Sequence, residues 1–125
     1  MLILKDFGRI RDRFKDIVIT IGNFDGLHLG HQKVLRAVKE HASFRGGTSA
    51  VLTFDPHPTR FLEPSRDLKI LTPFEEKARL IGASEIELLL CLTFDKQLAG
   101  MRPKDFIKDI IVDRIGAVEV IVGHG

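Results

Sequence analysis

The sequence holds a single cysteine, Cys91, in 125 residues, and neither tryptophan nor tyrosine. One cysteine excludes an intrachain disulfide and suits a reducing compartment. Cys91 lies in the apolar run Leu88 to Leu92, so it reads as a small packed hydrophobe rather than a reactive thiol. No apolar stretch approaches the roughly 20 residues that span a bilayer. The opening Met-Leu-Ile-Leu-Lys-Asp lacks a signal-peptide layout. A cytoplasmic protein without membrane contact is expected. Charge of one sign is scarce too: 19 Lys and Arg oppose 17 Asp and Glu, for a net +2. The acidic residues are spread along the whole chain, so no nucleic-acid partner is expected, whereas small phosphate-bearing ligands fit.

What is present is ordinary for one globular domain. Hydrophobic residues make up 44% and charged residues 29%. A chain of this length can bury roughly two-thirds of its unfolded surface. The nine phenylalanines read mostly as core, with Phe24 the candidate exception beside a ligand.

Residues 1–16 mix apolar and charged positions and read as an approach segment. Ile17 to Gly22 reads as a buried strand, and a helix is expected from about Gly30 to Ala42. Thr48 to Phe54 is a second strand. Asp55-Pro-His-Pro58 opens an irregular loop, because two prolines remove backbone donors and fix φ. A helix is expected with Thr72 as N-cap, Pro73 at its first position and Glu75 as the capping-box partner, ending at Gly82. Glu85 to Thr93 is a third strand. A further helix starts at Arg102-Pro103, carries Phe106, Ile107, Ile110 and Ile111 at 3.6 spacing, and stops at Gly116. Val118 to Val122 is a fourth strand. Alternating strands and helices with apolar strands predict an α/β, Rossmann-like parallel sheet with helices on both faces. Ligands of such sheets bind beyond the carboxyl ends of the strands. Gly22 to His31 and Asp55 to Pro58 both fall on that edge.

The segment Gly22-Asn-Phe-Asp-Gly-Leu-His-Leu-Gly-His31 carries the chemistry. It is neither a Walker A loop nor G-x-G-x-x-G. It delivers His28 and His31 to the first turn of a helix, three residues apart on one face. Backbone N–H groups and the helix dipole favour an anion there. Gly30 allows close approach of a ligand to the backbone. The imidazoles can donate to phosphate oxygens as charge builds in a displacement at phosphorus. Two such histidines can also bind zinc, but no third ligand of suitable spacing is near, so no protein metal site is expected. Asn23 reads equally as a turn cap or a nucleotide contact. Asp25 reads as a Mg²⁺ ligand or as a cap-like loop residue. His57 either faces a ligand or packs in a rigid turn. Lys33, Arg60 and Arg66 can reach phosphate or stay solvated. His41 and His124 read as surface residues.

The combination Asn23-Phe-Asp-Gly before His-x-Gly-His, then Thr53-Phe-Asp-Pro-His-Pro58, then Leu71-Thr-Pro-Phe-Glu-Glu-Lys77 resembles the FMN adenylyltransferase (FAD synthetase) module of prokaryotic bifunctional riboflavin kinase/FAD synthetases, in the nucleotidyltransferase superfamily. Phe94 to Phe106 and Val120-Ile-Val-Gly123 follow it too. Leu27 stands where the family has valine. The resemblance implies adenylyl transfer from ATP to FMN, giving FAD and pyrophosphate with Mg²⁺. It implies that His28 and His31 bind ATP phosphates and stabilise the transition state. Gly22, Asn23, Phe24, Asp25, Gly26 and Gly30 would shape the nucleotide loop. Asp55, Pro56, His57 and Pro58 would lie on the flavin side.

The family continues past strand four with an Asp/Asn-Phe-x-Phe-Gly segment, a Ser-Ser/Thr-x-x-Ile-Arg motif and a riboflavin kinase domain. This sequence contains none of them. The expected fold is therefore incomplete at its C-terminus, and residues 118–122 would expose an apolar edge open to self-association. Two other functions stay open: a nucleotide-binding fragment without turnover, and another small-molecule nucleotidyltransferase, such as a cytidylyltransferase or a pantetheine-phosphate adenylyltransferase. The Phe-Asp-Pro-His-Pro motif argues against the last.

Overall fold

Alternate residues of each central strand feed two separate cores, and this places the sheet between helical layers. The computed structural model describes residues 1–25, 29–55 and 73–123. Its elements are β1 (Leu2–Lys5), β2 (Ile17–Ile21), α1 (Leu29–Arg45), β3 (Thr48–Phe54), α2 (Phe74–Ala83), β4 (Leu88–Leu92) and α3 (Lys96–Ala99). Then follow α4 (Pro103–Phe106), which runs on as a π-helix (Ile107–Ile115), and β5 (Ala117–Val120). The strands form one parallel sheet in the order β1-β4-β3-β2-β5.

On one face, Ile17, Ile19, Ala50, Leu52, Leu88 and Leu90 pack against Ile110, Ile111 and Ile115 of the π-helix. On the other, Val18, Val51 and Leu89 pack against Leu35 and Val38 of α1 and Ile81 of α2. The strand period of two thus sends each neighbour to the opposite layer. β4 is buried along its whole length, as a parallel strand covered on both faces must be. Full burial of each such aliphatic side chain contributes roughly 1.5–3 kcal/mol.

Beyond β2 the chain winds outward through β3 and β4, then returns to place β5 on the other side of β2. Ile17 lies beside both Thr48 and Ala117. The strand order therefore reverses at β2, and its carboxyl end is the place where open α/β sheets bind ligands.

Several expectations change in the structure: the strands expected over 85–93 and 118–122 are the shorter Leu88–Leu92 and Ala117–Val120. Residues 2–5 are not a mere approach segment: Leu2 to Lys5 pair with Leu88 to Cys91 as the edge strand β1. Four residues are too few to show a periodicity, and β1 is mostly exposed. Helix α2 starts at Phe74, with Pro73 outside it in the cap position, while Thr72 lies outside the described residues. Proline can sit there because the cap residue needs no helical φ and ψ. The 103–116 helix leaves 3.6 spacing at Ile107 and becomes π-wound. It closes with the Gly116 N–H donating to Ile111 O at 2.9 Å, five residues back. The wider winding leaves Ile107 about half exposed although its spacing placed it in the core. Gly116 ends the helix in a left-handed conformation at φ 72°, where a Cβ would meet Arg11 Cβ at 2.4 Å. Finally, α1 runs to Arg45 rather than Ala42, ahead of the breaking pair Gly46-Gly47.

Candidate functional site

The carboxyl end of β2 turns into the site through Gly22. Its N–H donates to Leu52 O at 3.0 Å, one step beyond the strand. A Cβ on Gly22 would come within 2.9 Å of the Phe24 ring, so only glycine lets that ring fold back. Phe24 has φ 56° and is buried with Val18, Leu35 and Val38. A left-handed phenylalanine is uncommon, and such strain gathers at ligand sites. The Phe24 ring lies 5.2 Å from the His31 ring at an interplanar angle of 51°. His31 is half-buried in the first turn of α1. That turn carries no acidic side chain, so nothing opposes an anion at the positive end of the helix.

Asn23 is held from below by the Thr53 hydroxyl, which donates to Asn23 O at 3.5 Å. Asn23 Oδ1 is buried and has no hydrogen-bond partner among the described residues. Buried polar atoms are normally satisfied, so this oxygen marks a place for a donor. Asp25 forms an ion pair with Lys77 Nζ of α2 at 3.5 Å, and the Lys77 side chain is almost wholly buried.

At the end of β3, the Asp55 N–H donates to Leu92 O at 3.1 Å, and Asp55 is exposed on the same sheet edge. Beside it opens an apolar cavity of about 310 Å³ lined by Phe54, Phe94, Leu98, Met101, Pro103 and Phe106. Phe54 meets Phe94 edge-on at 5.9 Å and Phe106 at 6.3 Å. Three phenylalanines with preferred offset geometry make a slot suited to a flat aromatic ring.

Around these, Asp6 ends β1 in a left-handed conformation. It accepts bonds from the Thr93 hydroxyl at 2.6 Å and the Thr93 N–H at 2.8 Å. These bonds hold its carboxyl below the ordinary range. Cys91 is buried in β4, and burial, helped by the Asp55 charge, pushes its thiol up to about 11. It stays a protonated packing residue. His41 is half exposed and ties α1 to β5: its Nδ1 lies 2.7 Å from Glu119, which Arg45 also bonds at 3.1 Å.

Of the residues read from sequence, the structure brings Gly22, Asn23, Phe24, Asp25 and His31 into one cluster, with Asp55 on the same carboxyl edge. Gly30 lies within the first turn of α1. Lys33 is exposed. Gly26, His28, Pro56, His57, Pro58, Arg60, Arg66 and His124 lie outside the described residues. Sequence reasoning missed Lys77 and the phenylalanine slot. Lys77 had a legible signal, as a charge on the same helical face as Ala78 and Ile81. The slot had none, since its residues are scattered from β3 to α4.

A parallel α/β sheet whose strand order reverses at β2 defines a fold of the nucleotidyltransferase type. Residues 10–125 match the FAD synthetase family, and the chain belongs to that family. It is 32% identical to a bifunctional riboflavin kinase/FMN adenylyltransferase of Buchnera aphidicola subsp. Acyrthosiphon pisum over 99% of its own length and 40% of that protein. With the protein of the same description from Bacillus subtilis it is 38% identical over 82% of its length and 33% of that protein. The chain thus spans less than half of these relatives. Its fold is similar to a solved Streptococcus pneumoniae structure described as a macrolide-efflux protein. The TM-score is 0.79 at 26% identity, covering 98% of this chain and 48% of the other. Among the described residues no helix is long and apolar enough to cross a membrane.

Proposed function

We propose that this chain is an FMN adenylyltransferase module. In the reaction an FMN phosphate oxygen attacks the α-phosphorus of ATP. A new P–O bond forms, the bond to the β-phosphate breaks, and FAD and pyrophosphate leave. The observation that carries this reading is that two unlike sites sit at the carboxyl ends of the neighbouring strands β2 and β3, one against each face of the sheet. The His31 end of α1 suits phosphates, and the Phe54/Phe94/Phe106 slot suits the flavin ring. Asp55, the first residue of the Asp-Pro-His-Pro run assigned to the flavin side, follows Phe54 on that edge and is exposed.

In this reading His28 and His31 bind the ATP phosphates and offset charge that builds at the α-phosphorus. Gly22, Asn23, Phe24, Asp25, Gly26 and Gly30 shape the nucleotide loop, and Asn23 Oδ1 accepts a donor from the nucleotide. Pro56, His57 and Pro58 flank the flavin phosphate. The chemistry asks the protein for position and charge, and no nucleophilic side chain is needed. Mg²⁺ suits the donor set when it arrives with ATP. The described residues hold no group of three or more His, Cys, Asp or Glu side chains able to cage a metal. Mg²⁺ takes one or two carboxylates plus substrate phosphates and keeps its waters, and the exposed Asp55 is a carboxylate on the right edge. When bound, the ion supplies charge neutralisation at the phosphates.

The partners are then small molecules, ATP and FMN, in a cytoplasmic setting, and not nucleic acid. A second copy of the chain is a further partner through β5. That strand pairs with β2 on one side and with no strand on the other among the described residues. Val118 and Val120 are exposed, and Glu119 is ion-paired with Arg45 and in contact with His41. No unpaired charge guards the edge, which is what strand-to-strand association needs.

The test is FAD formation by the 125-residue chain from FMN, ATP and Mg²⁺, with His31→Ala as the control. Turnover that vanishes in the variant supports the reading. A folded chain that binds ATP without making FAD supports the second reading, a nucleotide-binding fragment.

A further inference from the structure

We propose that Lys77 is a positioning residue for the histidine end of the site, acting through Asp25 and Phe24. Lysine is almost never fully buried without a partner, yet the Lys77 side chain is only 4% exposed. It stands in the first turn of α2, its N–H donating to Pro73 O at 3.0 Å. Its neighbours on that face, Ala78 and Ile81, are core residues of the same cluster that holds Phe24. An apolar side chain would suit this face at lower desolvation cost. The charge is accounted for by what it meets, Asp25 Oδ1 at 3.5 Å.

Asp25 immediately follows Phe24, whose left-handed backbone the turn must hold in place. The turn is fastened from the other side by the Gly22 N–H on Leu52 O and by Thr53 on Asn23. Lys77 supplies the fastening after Phe24. With both ends fixed, the Phe24 ring is set against the His31 ring at 5.2 Å. Helix α2 is thereby coupled to the His31 imidazole through Asp25 and Phe24. A buried pair of this kind adds little net stability but can specify a conformation. The significance for catalysis rests on reading His31 as the phosphate-binding group.

The decisive experiment reads the His31 ring by nitrogen-15 NMR in the free 125-residue chain, without nucleotide, in wild type, Lys77→Arg, Lys77→Met and Asp25→Asn. Lys77→Arg keeps the donor and is expected to preserve the His31 ring shifts and the nuclear Overhauser contact between Phe24 and His31. Lys77→Met and Asp25→Asn are expected to shift the ring resonances and lose that contact while the rest of the spectrum stays dispersed. A folded Lys77→Met with wild-type ring shifts and an intact contact overturns the proposal. If Lys77→Met does not fold, Asp25→Asn decides on the same criterion, since its side chain is the less buried of the pair. In the FAD-forming assay, Lys77→Met is expected to lower kcat by about 10–100-fold, the scale of a small misplacement, with the KM for FMN unchanged. An unchanged kcat in the folded variant also overturns it. Absence of FAD formation by the wild-type chain counts against adenylyl transfer alone, because the ring measurement needs no turnover.

Discussion

Phe24 and His31 meet ring to ring, 5.2 Å apart and tilted by 51°, although one ends a strand turn and the other begins a helix. Phe24 belongs to the core and His31 to the edge proposed to bind phosphate, so this pair joins the core to the proposed site. Replacing Phe24 by alanine removes a buried ring and should cost about 3–5 kcal/mol. It also leaves an L-residue at positive φ, a conformation costing roughly 1–2 kcal/mol. Glycine leaves the same cavity without that cost. Phe24→Gly is therefore expected to melt above Phe24→Ala, with both far below wild type. The reverse order in thermal unfolding would rule out strain at this turn.

The Asp6 carboxylate gives a pH-dependent contribution. The Thr93 hydroxyl, then the Thr93 N–H, favour its ionised form and lower its folded pKa. A lowered folded value means the stabilisation is complete above the ordinary carboxylate pKa of about 3.9. It is lost as pH falls through the lower folded value. Thr93→Val removes the hydroxyl bond and should raise the Asp6 pKa in carbon-detected NMR titration. The variant should be less stable than wild type at pH 6, and the gap should narrow below about pH 4. A gap that stays constant down to pH 2 would refute the assignment.

Cys91 should be silent to thiol reagents. With its thiol pushed up to about 11 by burial first and the Asp55 charge second, almost no thiolate exists at pH 8. Ellman's reagent is expected to leave the native chain unmodified for hours and to label it fully in guanidinium. Rapid labelling of the folded chain would show that β4 opens locally.

Val120 tests the open strand edge. At tens of micromolar the wild-type chain should sediment as a self-associated species. Val120→Lys, which puts a charge on an exposed edge position, should return it to monomer. A wild-type chain that is monomeric throughout this range excludes association through β5.

Much of the architecture was legible because it rests on pattern. Leu88 to Leu92 is an unbroken apolar run and Ile17 to Ile21 is apolar but for Thr20, and each forms a strand covered on both faces. Gly22 to His31 was legible as a candidate site because its glycines and histidines have few purely structural uses in that spacing. What escaped was set by tertiary pairing. Leu2 to Lys5 becomes a strand only because β4 offers it an edge. The π-winding after Phe106 reflects how Ile110, Ile111 and Ile115 seat against the sheet, which local spacing does not encode. The phenylalanine slot is assembled from three separate elements, so no window of sequence contains it.

The sheet order also sets a timetable for folding. The strands β2 and β3 are joined by one helix, whereas Leu2 must find Leu88 across most of the chain. Closing so long a loop is entropically dear, and such pairings form late. The end of β2 through Asp25 and the start of α1 belong to the early, local unit, and the N-terminal strand to the last step. The fraying of β1 in hydrogen exchange should then be the first event when the protein comes apart.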